Sequence, residues 1–173
     1  MDNRRLSRLA ADLAAGLPAA APRRVRQAAL ASAETLCLFA AASPDCAWRV
    51  AEAPGVLDAL VAAAAAGGDA AQNSVLALAQ VARANPVLAR RVAEAPGALP
   101  ALFASLADGD AKAVNSGAAL ASMVQADRGL AERVAKAPGA LPALFAAVAA
   151  GSAPGPNRAS AGAPLAQADP GRA

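Results

Sequence analysis

Any chemistry done by this chain is done without histidine, of which the sequence has none. Imidazole bases, Ser-His-Asp and Cys-His nucleophile pairs and His-ligated zinc are therefore all excluded. Cys37 and Cys46 are the only cysteines, too few for a structural zinc site or a disulfide framework. The carboxylates are scattered. Glu52 and Glu94 recur 42 residues apart, but the next such place holds Lys136, and a position that accepts charge reversal is not a general acid. No glycine-rich phosphate loop of the Walker or dinucleotide kind occurs. The sequence points away from an enzyme and offers no catalytic residue, cofactor site or metal ligand.

Recognition chemistry is what remains. Arg23, Arg24 and Arg26 gather at one predicted helix start, and Arg4, Arg5 and Arg8 lie near the N-terminus. Such a patch suits an acidic peptide, phosphate, RNA or an anionic surface. The chain has one Trp, three Phe and no Tyr, so it has little on which to stack bases, and nucleic acid stays the minor alternative. A net charge of +3 does not by itself demand an anionic partner. Ser32, Ser74 and Ser116 recur at one interval, as do Asn73 and Asn115. A mid-helix serine found three times marks close helix approach rather than chemistry. A polar amide has no reason to recur in a core, so the asparagines are placed at an exposed edge.

The elements that position these residues are set by a thirteen-residue phrase. It reads RVAEAPGVLDALV from Arg49, RVAEAPGALPALF from Arg91 and RVAKAPGALPALF from Arg133, each start 42 residues after the last. A fixed period in the forties, with no strand-like alternation, predicts an all-α chain built as a helical solenoid. Pro-Gly within the phrase stops one helix and turns into the next, through Gly55, Gly97 and Gly139. Pro100 and Pro142 then fall in the first turn of the following helix, where a missing N–H costs little; Asp58 holds that place in the first copy.

Read in order, residues 3–16 predict a helix with Leu6, Leu9, Leu13 and Leu17 on one stripe, and a long helix follows over 23–42 with Leu30, Leu36, Phe39 and Ala40 inward. Short helices open at Ser43-Pro44, Asn85-Pro86 and Asp127-Arg128, each with a good N-cap, and bury Cys46 and Val50, Leu88 and Val92, Leu130 and Val134. Second helices bury Leu57 and Leu60, Leu99 and Leu102, Leu141 and Leu144. Gly67-Gly68-Asp69 and Asp108-Gly109-Asp110 close them and cap third helices over 70–84 and 111–126. Those carry Leu78 and Val81, then Leu120 and Met123, at matching places. Cys37 takes the place of Ala79 and Ala121, and Cys46 that of Leu88 and Leu130, so both read as small core residues of a reducing setting, cytoplasmic or alternatively nuclear. No stretch is long and apolar enough for a membrane span. The N-terminal arginines and leucines also allow an organellar transit peptide, against which Asp2 and Asp12 count. Residues 1–150 thus form the folded domain, and the Pro/Gly/Ala-rich 151–173 is predicted to be a disordered tail.

Short, medium and long helices in each 42-residue unit, with Asn85-Pro86 and later Gly97-Ala98-Leu99-Pro100-Ala101-Leu102, resemble armadillo repeats. HEAT repeats have two helices and lack this Gly-Ala-Leu-Pro opening. Pro54, Pro96 and Pro138 depart from the family pattern, which passes from Ala directly to Gly. The resemblance implies a right-handed α-solenoid of about three three-helix repeats and a non-enzymatic scaffold that binds a protein or peptide along its third helices. On this chain that strip falls at Glu34, Leu38 and Ala41, at Gln72, Asn73, Leu76, Gln80 and Arg83, and at Asn115, Ala118, Ser122 and Gln125. Importin-alpha-like proteins carry a Trp and an Asn there; Glu34/Leu38, Leu76/Gln80 and Ala118/Ser122 supply neither, so nuclear-signal binding is not carried over. The competing reading makes these ordinary solvated helix positions. If the chain is one piece of a longer solenoid, or associates with itself, Leu141, Leu144, Phe145 and Val148 are the residues left to be covered.

Overall fold

A computed structural model describes residues 1–107, 111–126, 128–143 and 145, and among these residues every regular element is a helix. They are α1 (Asn3–Ala15), α2 (Arg23–Ala42), α3 (Pro44–Glu52), α4 (Val56–Ala66), α5 (Asp69–Ala84), α6 (Pro86–Glu94), α7 (Ala98–Ala107), α8 (Ala111–Ala126) and α9 (Arg128–Lys136). Residues 140–143 are helical again. The expected Asp127 cap, the 108–110 turn, the side chain of Leu144, and Val148 with the 151–173 tail lie outside the described residues.

The helix starts follow from short-range chemistry. Asp2 accepts from the Arg5 amide at 2.8 Å, Ser43 from the Cys46 amide at 3.1 Å and Asn85 from the Leu88 amide at 2.9 Å, each satisfying an N–H that the helix leaves unpaired. Pro44 and Pro86 occupy the first helical position, where no N–H is needed. Gly55, Gly97 and Gly139 have φ of 73°, 78° and 85°, a left-handed turn that a side chain would resist. At the start of α5 the sequence reading needs correction. Asp69 is the first helical residue rather than the cap; Gly67 and Gly68, both at φ 73°, make the turn, and Asp69 lies at the positive end of the helix.

Packing runs in parallel series. α2 lies against α5 and α5 against α8; α1 lies against α4 and α4 against α7; α3 touches α6. The series are tied together where α1 meets α2, α4 meets α5 and α7 meets α8. Leu6, Leu13, Leu36, Leu60, Leu78, Leu88, Leu102, Phe103 and Met123 are fully buried between them. Alanines such as Ala33, Ala63, Ala77 and Ala119 fill the spaces between these larger side chains. Ser32, Ser74 and Ser116 are buried as well; Ser74 donates to the Ala70 carbonyl at 2.8 Å, while Ser116 Oγ has no partner.

Several expected core residues are less covered than their periodicity implies. Leu9, Leu17, Leu30, Phe39, Leu57 and Cys46 are half-buried. Cys46 is less covered than Leu88 because α3 is the first of the short helices: it touches α6 on one side and has no short helix on the other. Leu141 was expected to be buried and is 64% exposed, and Phe145 is 73% exposed, against 8% for Leu99 and 2% for Phe103. α7 packs on both α4 and α8, whereas no described helix follows residues 140–143 to cover their outer side.

Among the described glycines, Gly16 has the least room for a side chain. A Cβ built there meets the Ala29 Cβ and comes within 3.0 Å of the Val25 carbonyl oxygen. Gly16→Ala should therefore destabilise the chain by about 1–3 kcal/mol through overpacking. Ala29→Gly should relieve part of that in the double variant despite its own helix cost of about 1 kcal/mol. Urea midpoints across the double-mutant cycle check this, and simple additivity would contradict the crossing.

Candidate functional site

The outward sides of α2, α5 and α8 bring part of the sequence-selected strip together around two recesses. The first, about 330 Å³, lies where the end of α2 (Ala40, Ala41) and the start of α3 (Ser43, Pro44) face Gln80 and Arg83 of α5. The second, about 270 Å³, lies where the end of α5 (Ala82, Arg83) and the start of α6 (Asn85, Pro86) face Ser122 and Gln125 of α8. Of the predicted strip, Ala41, Gln80, Arg83, Ser122 and Gln125 line these recesses. Glu34, Leu38, Gln72, Asn73, Leu76, Asn115 and Ala118 line neither; each precedes the lining residues of its own helix.

The strip is accessible in graded fashion. Glu34, Gln72, Arg83 and Gln125 are exposed, and Leu38 is 65% exposed, a large apolar side chain facing solvent. Asn73, Leu76, Gln80, Asn115 and Ser122 are half-buried. Ser122 Oγ donates to the Ala118 carbonyl at 2.8 Å and so offers its lone pairs outward. Sequence reasoning missed Ser43, Pro44, Asn85 and Pro86 as lining residues. Their signal was read only as helix capping, although the caps that start α3 and α6 also end at the recess walls.

Charge is distributed unevenly between this face and the Pro-Gly turns. At the turns, Arg91 pairs with Glu52, and Arg133 Nη1 lies 3.6 Å from Glu94. Lys136, at the corresponding sequence place, lies 3.7 Å from Glu132 on its own helix. Arg83 is the one charged residue lining either recess, and among the described residues no carboxylate pairs with it. It sits in the last turn of α5, where the helix dipole favours a cation.

The structure divides the other arginines. Arg4, Arg5 and Arg8 line a recess of about 370 Å³ with Asp2 and Leu9. Arg23, Arg24 and Arg26 are exposed at the start of α2, which has no side-chain cap. Gly16, at the far end of α1, abuts Val25 and Arg26, whereas Arg4 and Arg5 lie in the first turn and Arg8 near the middle of that helix, which is about 20 Å long. They do not form one continuous patch.

Among the described residues no three His, Cys, Asp or Glu groups come together as a metal site, and no helix is long and apolar enough to cross a membrane. No family model, curated protein or solved structure matches the chain.

Both cysteines are free. Burial, and secondarily the charge of Glu34 one turn away, pushes the Cys37 thiol above its ordinary range. The thiolate is the nucleophile, so iodoacetamide at mildly alkaline pH should modify Cys46 roughly tenfold or more faster than Cys37. Because burial is the larger cause, Glu34→Gln should bring the Cys37 alkylation profile only part of the way down in pH. Mass-resolved alkylation rates measure both, and equal rates for the two thiols would contradict the burial seen here.

Proposed function

We propose that residues 1–150 form an armadillo-like, right-handed α-solenoid with a 42-residue repeat. In this reading it acts as a non-enzymatic scaffold, holding an extended protein segment along the concave face made by α2, α5 and α8. The observation that carries the reading is a correspondence between the two recesses. Adding 42 to Ala40, Ala41, Ser43, Pro44, Gln80 and Arg83 gives Ala82, Arg83, Asn85, Pro86, Ser122 and Gln125, so the same hollow recurs with different polar walls. The serial packing of like helices, α1 to α4 to α7 and α2 to α5 to α8, supports the same reading. A surface generated by stacking presents one more hollow per unit, which suits an extended chain better than a compact small molecule.

A photo-crosslinking amino acid placed at Leu38, at Gln125 and at Asp58 tests this. Asp58 lines a separate recess beside the Pro-Gly turn. The expected result is one protein partner captured from both Leu38 and Gln125, absent from Asp58, and retained at high salt. Equal capture from all three positions would overturn the reading. Capture that disappears with salt would instead favour an anionic polymer or surface held by the arginines.

A further inference from the structure

We infer that Arg83 makes this face selective for a segment bearing an aspartate or glutamate side chain, which it receives between the two recesses. The inference rests on the groove reading above and names the chemistry of the occupant. Arg83 lines both hollows, is exposed, and has no carboxylate partner among the described residues. Arginines of the turn edge, by contrast, are matched by Glu52 and Glu94. The residues 42 before and after Arg83 are Ala41 and Gln125, so the central position alone is cationic. A guanidinium offers five N–H donors in a fork that fits a carboxylate in two parallel bonds. Gln80 and Gln125, on either side, supply amides that can hold the backbone of the same segment.

The remaining features of the face set the register. Glu34 lies on α2 seven residues before Ala41, about 10 Å along the helix, and disfavours an acidic residue at that end. Leu38, 65% exposed, and half-buried Leu76 give an apolar neighbour. Each hollow lies at or below the low end of small-molecule pockets, a size for single side chains rather than a cofactor. The occupant is thus an extended peptide with an apolar residue toward the Glu34 end and a carboxylate at Arg83.

A display library of random dodecapeptides panned on the immobilised chain tests the inference. The comparison uses Arg83→Gln, Arg83→Lys and the neutral double variant Gln80→Trp/Ser122→Trp, which fills both hollows. Circular dichroism establishes that each is folded. The expected result is enrichment of Asp or Glu at one position, with the selected peptide binding roughly tenfold tighter than its Gln analogue. Arg83→Gln should erase that difference while leaving the Gln analogue unchanged, and Arg83→Lys should keep part of it. Peptides blocked by the double variant but indifferent to charge, or unaffected by Arg83→Gln, would overturn the acidic preference and leave the groove standing. No retained peptide, or retention indifferent to the double variant, would overturn both.

Discussion

An alanine-rich chain can bury enough surface only if its helices approach closely, and this constraint governs the architecture. Alanine contributes one methyl group, so its dispersion contacts exist only when a neighbouring backbone comes within a few ångströms. Ser32, Ser74 and Ser116 are buried in the three long helices, and Gly16 meets α2 where even one further carbon does not fit. The few large side chains, among them Leu36, Leu78, Phe103 and Met123, then occupy the gaps that close approach leaves. Ser116 Oγ stays without a partner, a price of this packing that Ser74 avoids through the Ala70 carbonyl.

Close approach also explains which parts of the fold were readable in the sequence. Helix boundaries depend on local chemistry, and Ser43, Asn85 and the Pro-Gly turns at Gly55, Gly97 and Gly139 place them within a residue or two. Depth depends on neighbours that the local pattern does not contain. Leu141 and Leu99 stand in nearly identical sequence, yet one is exposed and the other buried, because α7 is packed by α4 and α8 while residues 140–143 have no described helix beyond them. Cys46 is half-buried for a related reason: its α3 touches α6 on one side and has no short helix before it on the other.

The candidate site was legible to the same extent. Helical spacing selects an accessible side of α2, α5 and α8, since none of the strip residues is fully buried. Spacing alone does not say which of them meet. Gln80, Arg83, Ser122 and Gln125 come together near helix ends because adjoining turns start α3 and α6 there, and Asn73 and Asn115 lie too far toward the helix starts to join them. The arginines make the opposite point. Arg4, Arg5 and Arg8 look adjacent to Arg23, Arg24 and Arg26 along the chain, but the length of α1 carries them apart.

Within each long helix, packing positions are conserved between copies while recess positions are free to change. Leu36, Leu78 and Leu120 are all leucine and all buried, and Ser32, Ser74 and Ser116 are all serine and all buried. The places on the outward side vary instead: Leu38, Gln80 and Ser122 in one row, Ala41, Arg83 and Gln125 in the other, all but Leu38 lining a recess. None of these six is fully buried, so exchanging them alters little of the close helix contact on which the fold depends. Packing therefore does not select the charge at Arg83. On the proposed solenoid reading, one hollow is built repeatedly by an inflexible set of small residues, and its specificity is written in a separate set that stability scarcely constrains.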